Sequence, residues 1–197
     1  GDLAVRLHPS RTIAVTVLIA FAAASASAET KKFERWFIVG VQGQPAGWAV
    51  ERETDDGKTI TSEMKIHIEM ARGGQTVAID MSSQFVEGAD GEPISAMSRQ
   101  NLGGMALMSK TTELEFEDDG IVMTTTQGNR QTRRTRPLPE GEWLTPAAGV
   151  RHSLKQIAAG KKQFSYRTFD HMGTMAVIEV TVCACASGRA RFRAGPV

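Results

Sequence analysis

From Phe33 to about Leu138, apolar residues return at every second position, in segments separated by clusters of Gly, Asp and Pro. Such alternation is the pattern of antiparallel strands that bury one face and solvate the other. Met64, Ile66, Ile68 and Met70 interleave with Lys65, His67 and Glu69, and Val77, Ile79, Met81 and Phe85 resume the pattern after Gly73-Gly74, so a hairpin is expected there. Asp55-Asp56-Gly57-Lys58, Asp90-Gly91, Gly103-Gly104, Asp118-Asp119-Gly120 and Gly128-Asn129 supply residues that tolerate positive φ, at hairpin spacing. The pattern predicts strands over 33–41, 47–54, 59–72, 75–87, 94–101, 105–117 and 121–136.

One segment changes period. After the stop at Pro137-Leu-Pro-Glu-Gly141, residues 147–159 place Val150, Leu154, Ile157 and Ala158 on one helical stripe. Thr145 is placed to cap this helix, with Pro146 in the first turn and Gly160 as its stop. Strand alternation returns over 163–169 and 175–185, where Ile178, Val180 and Val182 share a face. The expected fold is therefore mainly β: a strongly bent antiparallel sheet or open half-barrel of about nine strands, packed around one α-helix. Beyond Cys185 the alternation is lost in an Arg- and Gly-rich tail, 186–197. This tail reads as a disordered end, or as the place where the chain is cut ahead of another domain.

The N-terminus has a different character. Arg6, His8 and Arg11 precede a twelve-residue apolar run from Ile13 to Ala24, and Ala26 and Ala28 follow at the spacing a signal peptidase needs. Residues 1–28 are expected to be a signal peptide, leaving one β-rich domain over 29–185 and a periplasmic or extracellular location. The apolar run is short for a membrane span, so no integral membrane protein is expected after cleavage.

The whole chain has 23 basic and 22 acidic side chains. Removing residues 1–28 leaves the two classes equal in number. That balance, with 6% aromatic residues, argues against a nucleic-acid binder, which needs a basic face and stacking platforms.

Candidate chemistry is sparse. Arg130, Arg133, Arg134 and Arg136 put four guanidinium groups into seven residues, either as an anion patch for phospholipid head groups or acidic polymers, or as the charged guard of an edge strand. Trp48 and Trp143, with Trp36, are either a carbohydrate platform or packing. Cys183 and Cys185 share a strand face as a labile disulfide, half a metal site, a nucleophile, or two plain thiols. His67, His152 and His171 are scattered, and no metal-binding spacing joins them. With no phosphate loop, nucleophile elbow or carboxylate pair, no catalytic residue, metal or cofactor is expected, and no enzyme confined to this chain.

The turns and caps carry one resemblance. Gly40-Val-Gln-Gly-Gln-Pro-Ala-Gly47-Trp48, Asp56-Gly57-Lys58, Thr61-Ser-Glu-Met64, Arg72-Gly-Gly-Gln-Thr-Val77, Asp90-Gly-Glu-Pro93 and Leu138-Pro-Glu-Gly-Glu-Trp-Leu-Thr-Pro146 together resemble the β-rich N-terminal region of exported bacterial transglutaminase-like proteins. The likeness covers about residues 33–182. It implies a non-catalytic accessory domain that positions a peptide or cell-wall substrate for a catalytic domain downstream. The alternative is a stand-alone carrier of lipid or another apolar ligand, since a bent sheet around a helix with Met and aliphatic residues inside resembles the half-barrels of periplasmic lipoprotein carriers.

Overall fold

The structure, a computed structural model, describes residues 30–41, 43–72, 75–103, 109–184 and 190–196. Eight strands follow one another as an antiparallel meander: β1 (Lys31–Val41), β2 (Gln44–Asp55), β3 (Thr59–Arg72), β4 (Gln75–Gly88), β5 (Pro93–Leu102), β6 (Lys110–Glu117), β7 (Gly120–Gln127) and β8 (Arg130–Arg136). Then come α1 (Pro146–Ala158) and three further strands, β9 (Gln163–Asp170), β10 (Ala176–Ala184) and β11 (Ala190–Pro196), which form a second sheet in the order β11-β10-β9. The large sheet does not close: β1 and β8 are its two edges. The expected mainly-β, half-barrel-like architecture with one helix is present.

Each hairpin forms where turn residues interrupt the alternation. Gly57, Gly91 and Gly128 all take positive φ, which a side chain would resist. At Asp56 the carboxylate accepts the N–H groups of Lys58 and Thr59 and so closes the β2–β3 turn. These bonds, with Thr59 first among them, hold the Asp56 carboxyl below its ordinary range.

Strand alternation then sorts the large sheet into two faces. The inner face carries the small sheet and the helix. There Phe85, Ala96, Leu114 and Ile121 are buried against Phe169 of β9, with Phe116, Met123, Trp143, Met175 and Val177 packed around them. Phe116 and Phe169 meet edge to face at 5.5 Å, and Trp143 lies 5.7 Å from Phe169. Full burial of each large apolar side chain contributes about 1.5–3 kcal/mol, which makes this end of the sheet the anchor of the fold.

Three expectations need correction. Residues 121–136 are two strands, because Gly128-Asn129 turns the chain and pairs Gln127 with Arg130. The tail holds β11, paired with β10 from Ile178↔Pro196 to Ala184↔Ala190, where no ordered element was expected. The helix turns a different side inward: Ala147, Gly149 and Ser153 are buried, whereas Leu154 is 62% exposed. The reason is steric, since a Cβ on Gly149 would lie 2.8 Å from Tyr166 Cε2. Small residues let the helix settle on the aromatic surface of β9, and the larger Leu154 and Ile157 are left outside.

The helix cap also differs from the reading. Thr145 stands at the cap position but its side chain makes no capping bond. Instead the carboxylate of Glu87, reaching from β4, accepts the N–H of Ala147 at 3.2 Å and a bond from Arg151 Nη2 at 3.0 Å. A carboxylate at a helix N-terminus satisfies an orphan donor and meets the positive end of the helix dipole.

Candidate functional site

The cross-strand register assembles the inner face into rows. At the covered end, Phe85, Ala96, Leu114 and Met123 lie side by side. The next row is small and hydroxylic: Ser83, Ser98, Thr112, Thr125 and Thr132, the first three buried. Ser83 Oγ has no hydrogen-bond partner among the described residues.

Beyond this hydroxyl row the face turns apolar. Phe37, Ala49, Ile66 and Met81 are consecutive neighbours across β1 to β4; Val39, Gly47, Ile68, Ile79 and Leu102 form the row after it, and Met70 pairs with Val77. Most are half-buried, while Phe37 and Leu102 remain 43% and 41% exposed. No helix or strand among the described residues packs over this patch as Phe169 and Trp143 do over the core. Five strands at about 4.8 Å spacing make it about 19 Å wide between the axes of β1 and β5.

The same row that contains Ile66 and Met81 changes chemistry as it crosses the sheet. It continues through Gln100 to Lys110, Gln127 and Arg130. Gln100 is tied to the β9–β10 turn by its bond to the Met172 carbonyl, whereas Lys110 and Arg130 are exposed and in no ion pair among the described residues. An apolar surface thus runs into a basic one on a single face. At its β1 side Arg35 lies over the rings of Phe33 and Phe37, at 5.2 and 5.5 Å, and pairs with Glu51 at 2.7 Å.

The arginine cluster is divided by strand alternation. Arg130, Arg134 and Arg136 belong to the inner face, opposite Gln127, Met123 and Ile121, while Arg133 belongs to the outer face opposite Thr124. All four lie on edge strand β8, so guarding the edge and meeting an anion are both open to them. Arg136 is engaged, donating to the Met175 carbonyl at 3.2 Å. The tryptophans separate as well: Trp143 is core, whereas Trp48 is 40% exposed on the outer face, with its ring centroid 5.4 Å from that of Trp36.

The histidines lie apart. His152 rests on Phe164 and Tyr166, and His171 abuts Phe85 at 5.4 Å. Burial holds the His171 imidazole below its ordinary pKa, although the Asp170 carboxylate works against it. His67 receives a carboxylate on each ring nitrogen, Asp80 at 2.7 Å and Glu69 at 3.2 Å; these bonds, Asp80 foremost, raise its pKa. Among the described residues no three metal-binding side chains converge on one point. Cys183 is half-buried on β10, and Cys185 lies outside the described residues, as does the expected signal peptide. Within the described residues no helix is long and apolar enough to cross a membrane.

No family model matches the chain, and no curated protein matches it. Among solved structures it is similar to a β-barrel-like protein of domain of unknown function DUF1849 from Brucella abortus, with a TM-score of 0.54 and 13% identity over 78% of this chain. The match spans 65% of that structure's length. At this identity the likeness is one of fold alone: a mainly-β, barrel-like architecture.

Proposed function

We propose that this chain binds an amphipathic ligand, an acyl tail ending in an anionic head, on the inner face of its large sheet and carries it outside the cytoplasm. One observation carries the reading. Among the described residues no helix or strand packs over the apolar rows from Phe37 to Leu102, and these rows run on the same face into Lys110 and Arg130. Half-barrels hold ligands in this way, and each methylene removed from water contributes about 0.8 kcal/mol. The basic residues then orient the head through charge-assisted hydrogen bonds. The accessory role ahead of a transglutaminase-like domain is the other expectation, but no feature of the inner face favours a peptide over an acyl chain.

Titration with 11-(dansylamino)undecanoic acid tests the proposal. The expected result is saturable, blue-shifted dansyl emission. Ile68→Lys and Ile79→Lys are each expected to weaken it about tenfold or more, since each places a charge on the apolar row at a cost of at least about 1.4 kcal/mol. The paired substitution Lys110→Gln with Arg130→Gln is expected to weaken the acid and leave its methyl ester unchanged. Absence of saturable binding, or binding indifferent to the isoleucine variants, would overturn the reading.

A further inference from the structure

The outer face of the same strands holds a second arrangement with no part in the proposed carrier site. Register places Ile38, Trp48, His67, Asp80 and Asn101 in one row across β1 to β5, and Trp36, Val50, Lys65, Ser82 and Arg99 in the row beside it. Trp48 is pinned between two rings: His67 stacks on it at 5.8 Å with the planes 25° apart, and Trp36 lies 5.4 Å away on the other side. Asp80 and Glu69 hold His67 in turn, so the indole has a fixed orientation.

Beside Trp48 lies a depression of about 280 Å³ bordered by Lys65, Asp80, Ser82, Arg99 and Asn101, with Ile66 and Met81 also contributing to its lining. Its chemistry is uneven in a telling way. Lys65 and Arg99 are in no ion pair among the described residues, while Asp80 is already engaged by His67. Asn101 Oδ1 is buried without a hydrogen-bond partner among the described residues, an acceptor waiting for a hydroxyl or N–H. On the other side of the same indole lies a second, open groove of about 440 Å³, lined by Pro45, Ala46, Gly47, His67 and Glu69.

An exposed indole edge held in place by its neighbours, two cations and one acceptor without partners among the described residues, and a groove that continues past the indole describe a site for a chain of rings carrying acid groups. We propose that this outer face binds an acidic glycan. One sugar ring sits in the depression against the exposed edge of Trp48, its carboxylate or phosphate on Lys65 and Arg99, and a hydroxyl donating to Asn101 Oδ1; the neighbouring ring extends past the same edge into the second groove. An apolar ligand would leave both cations and the amide oxygen unsatisfied, and a bare anion would make no use of the indole. The site lies on the opposite face from the acyl-chain proposal and stands or falls separately.

Calorimetric titration of the chain with tetragalacturonate, neutral cellotetraose and sulfate tests it. The expected result is that tetragalacturonate binds at least about tenfold more tightly than cellotetraose, one charge-assisted contact being equivalent to about 1.4 kcal/mol. Trp48→Ala is expected to lose about tenfold as well, with Trp48→Phe retaining most of the affinity and Lys65→Gln with Arg99→Gln erasing the preference for the acid. Sulfate is expected to compete only weakly. Far-UV circular dichroism and the emission of partly buried Trp143 verify that each variant is folded. Equal binding of the two tetrasaccharides, no binding of either, or tetragalacturonate binding that survives Trp48→Ala and is fully displaced by sulfate would overturn the proposal.

Discussion

Arg151→Ala is the substitution whose consequence the fold determines most sharply. The carboxylate of Glu87 has no exposed surface, and its partners are the Ala147 N–H and the Arg151 guanidinium. Glu53 adds a second acid nearby: burial raises its pKa first of all, with Arg151 lowering it and Glu87 raising it further. Removing Arg151 leaves a buried charge with one backbone donor at 3.2 Å. Breaking a fully buried pair costs about 3–5 kcal/mol, and the loss of one charge-assisted bond alone about 1.5–3. Because the Arg151 side chain is 46% exposed and the helix N-terminus still faces the carboxylate, we expect about 2–3 kcal/mol. With a urea m-value of about 2 kcal/mol/M, the unfolding midpoint drops by about 1–1.5 M. Glu87→Gln keeps an acceptor for Ala147 and is expected to cost only about 1 kcal/mol. The decisive species is the double variant, in which the buried charge is gone: it is expected to be about 1–2 kcal/mol more stable than Arg151→Ala alone. Urea unfolding followed by far-UV circular dichroism measures all three. A double variant no more stable than Arg151→Ala would refute the idea that an uncompensated buried carboxylate causes the loss.

Four further outcomes follow from packing and protonation. Because the folded-state pKa of His171 is depressed, its contribution to stability is complete above the unfolded value of about 6.5 and is lost as pH falls toward the folded value. The Tm is expected to drop between pH 7 and 5.5, and His171→Phe is expected to flatten that slope, as differential scanning calorimetry will show. For Asp170, burial pushes the carboxyl up, but the N–H groups of Thr174, Gly173 and Met172 and the Thr174 hydroxyl prevail and lower it; Asp170→Ala is expected to remove stability above about pH 4 and to matter less below it. Trp143→Ala removes the ring packed on both Phe116 and Phe169 and is expected to cost about 3–5 kcal/mol in chemical denaturation, whereas Trp48→Ala, on an exposed face, is expected to cost under about 1. Gly149→Val drives a side chain into Tyr166 and is expected to destabilise by about 1–3 kcal/mol in the same assay.

Much of the sheet was legible because strand alternation and turn chemistry are local. Met64, Ile66, Ile68 and Met70 do share a face, and the glycines that take positive φ at 57, 91 and 128 stood at readable turn positions. The helix existed where period and proline placed it, but its buried side was misjudged, since hydrophobicity alone favoured Leu154 over Gly149 and only the bulk of Tyr166 reverses the preference. Glu87 carried an unread signal: it falls in phase with the buried Ser83 and Phe85, which is an odd place for a charge unless something pairs with it. Of the candidate sites, isolated members such as Arg130 and Trp48 were legible, but the rows that assemble them were not. Ile66 meets Met81 and then, through Gln100, Lys110 only after four strands take up their register, and Trp48 meets His67 and Asp80 only after three, a property that single-strand patterns do not contain. The four arginines illustrate the same point, because one position of phase sends Arg133 to the opposite face from Arg134.

Methyl NMR of the chain with a spin-labelled stearate, the label at the end of the acyl chain, tests the central claim most directly. If the inner face holds the tail, the methyl signals of Ile66, Ile68, Met70, Ile79 and Met81 broaden together, and unlabelled stearate restores them. Broadening confined to Leu154 and Ile157 on the exposed side of the helix, or none at all, would contradict it.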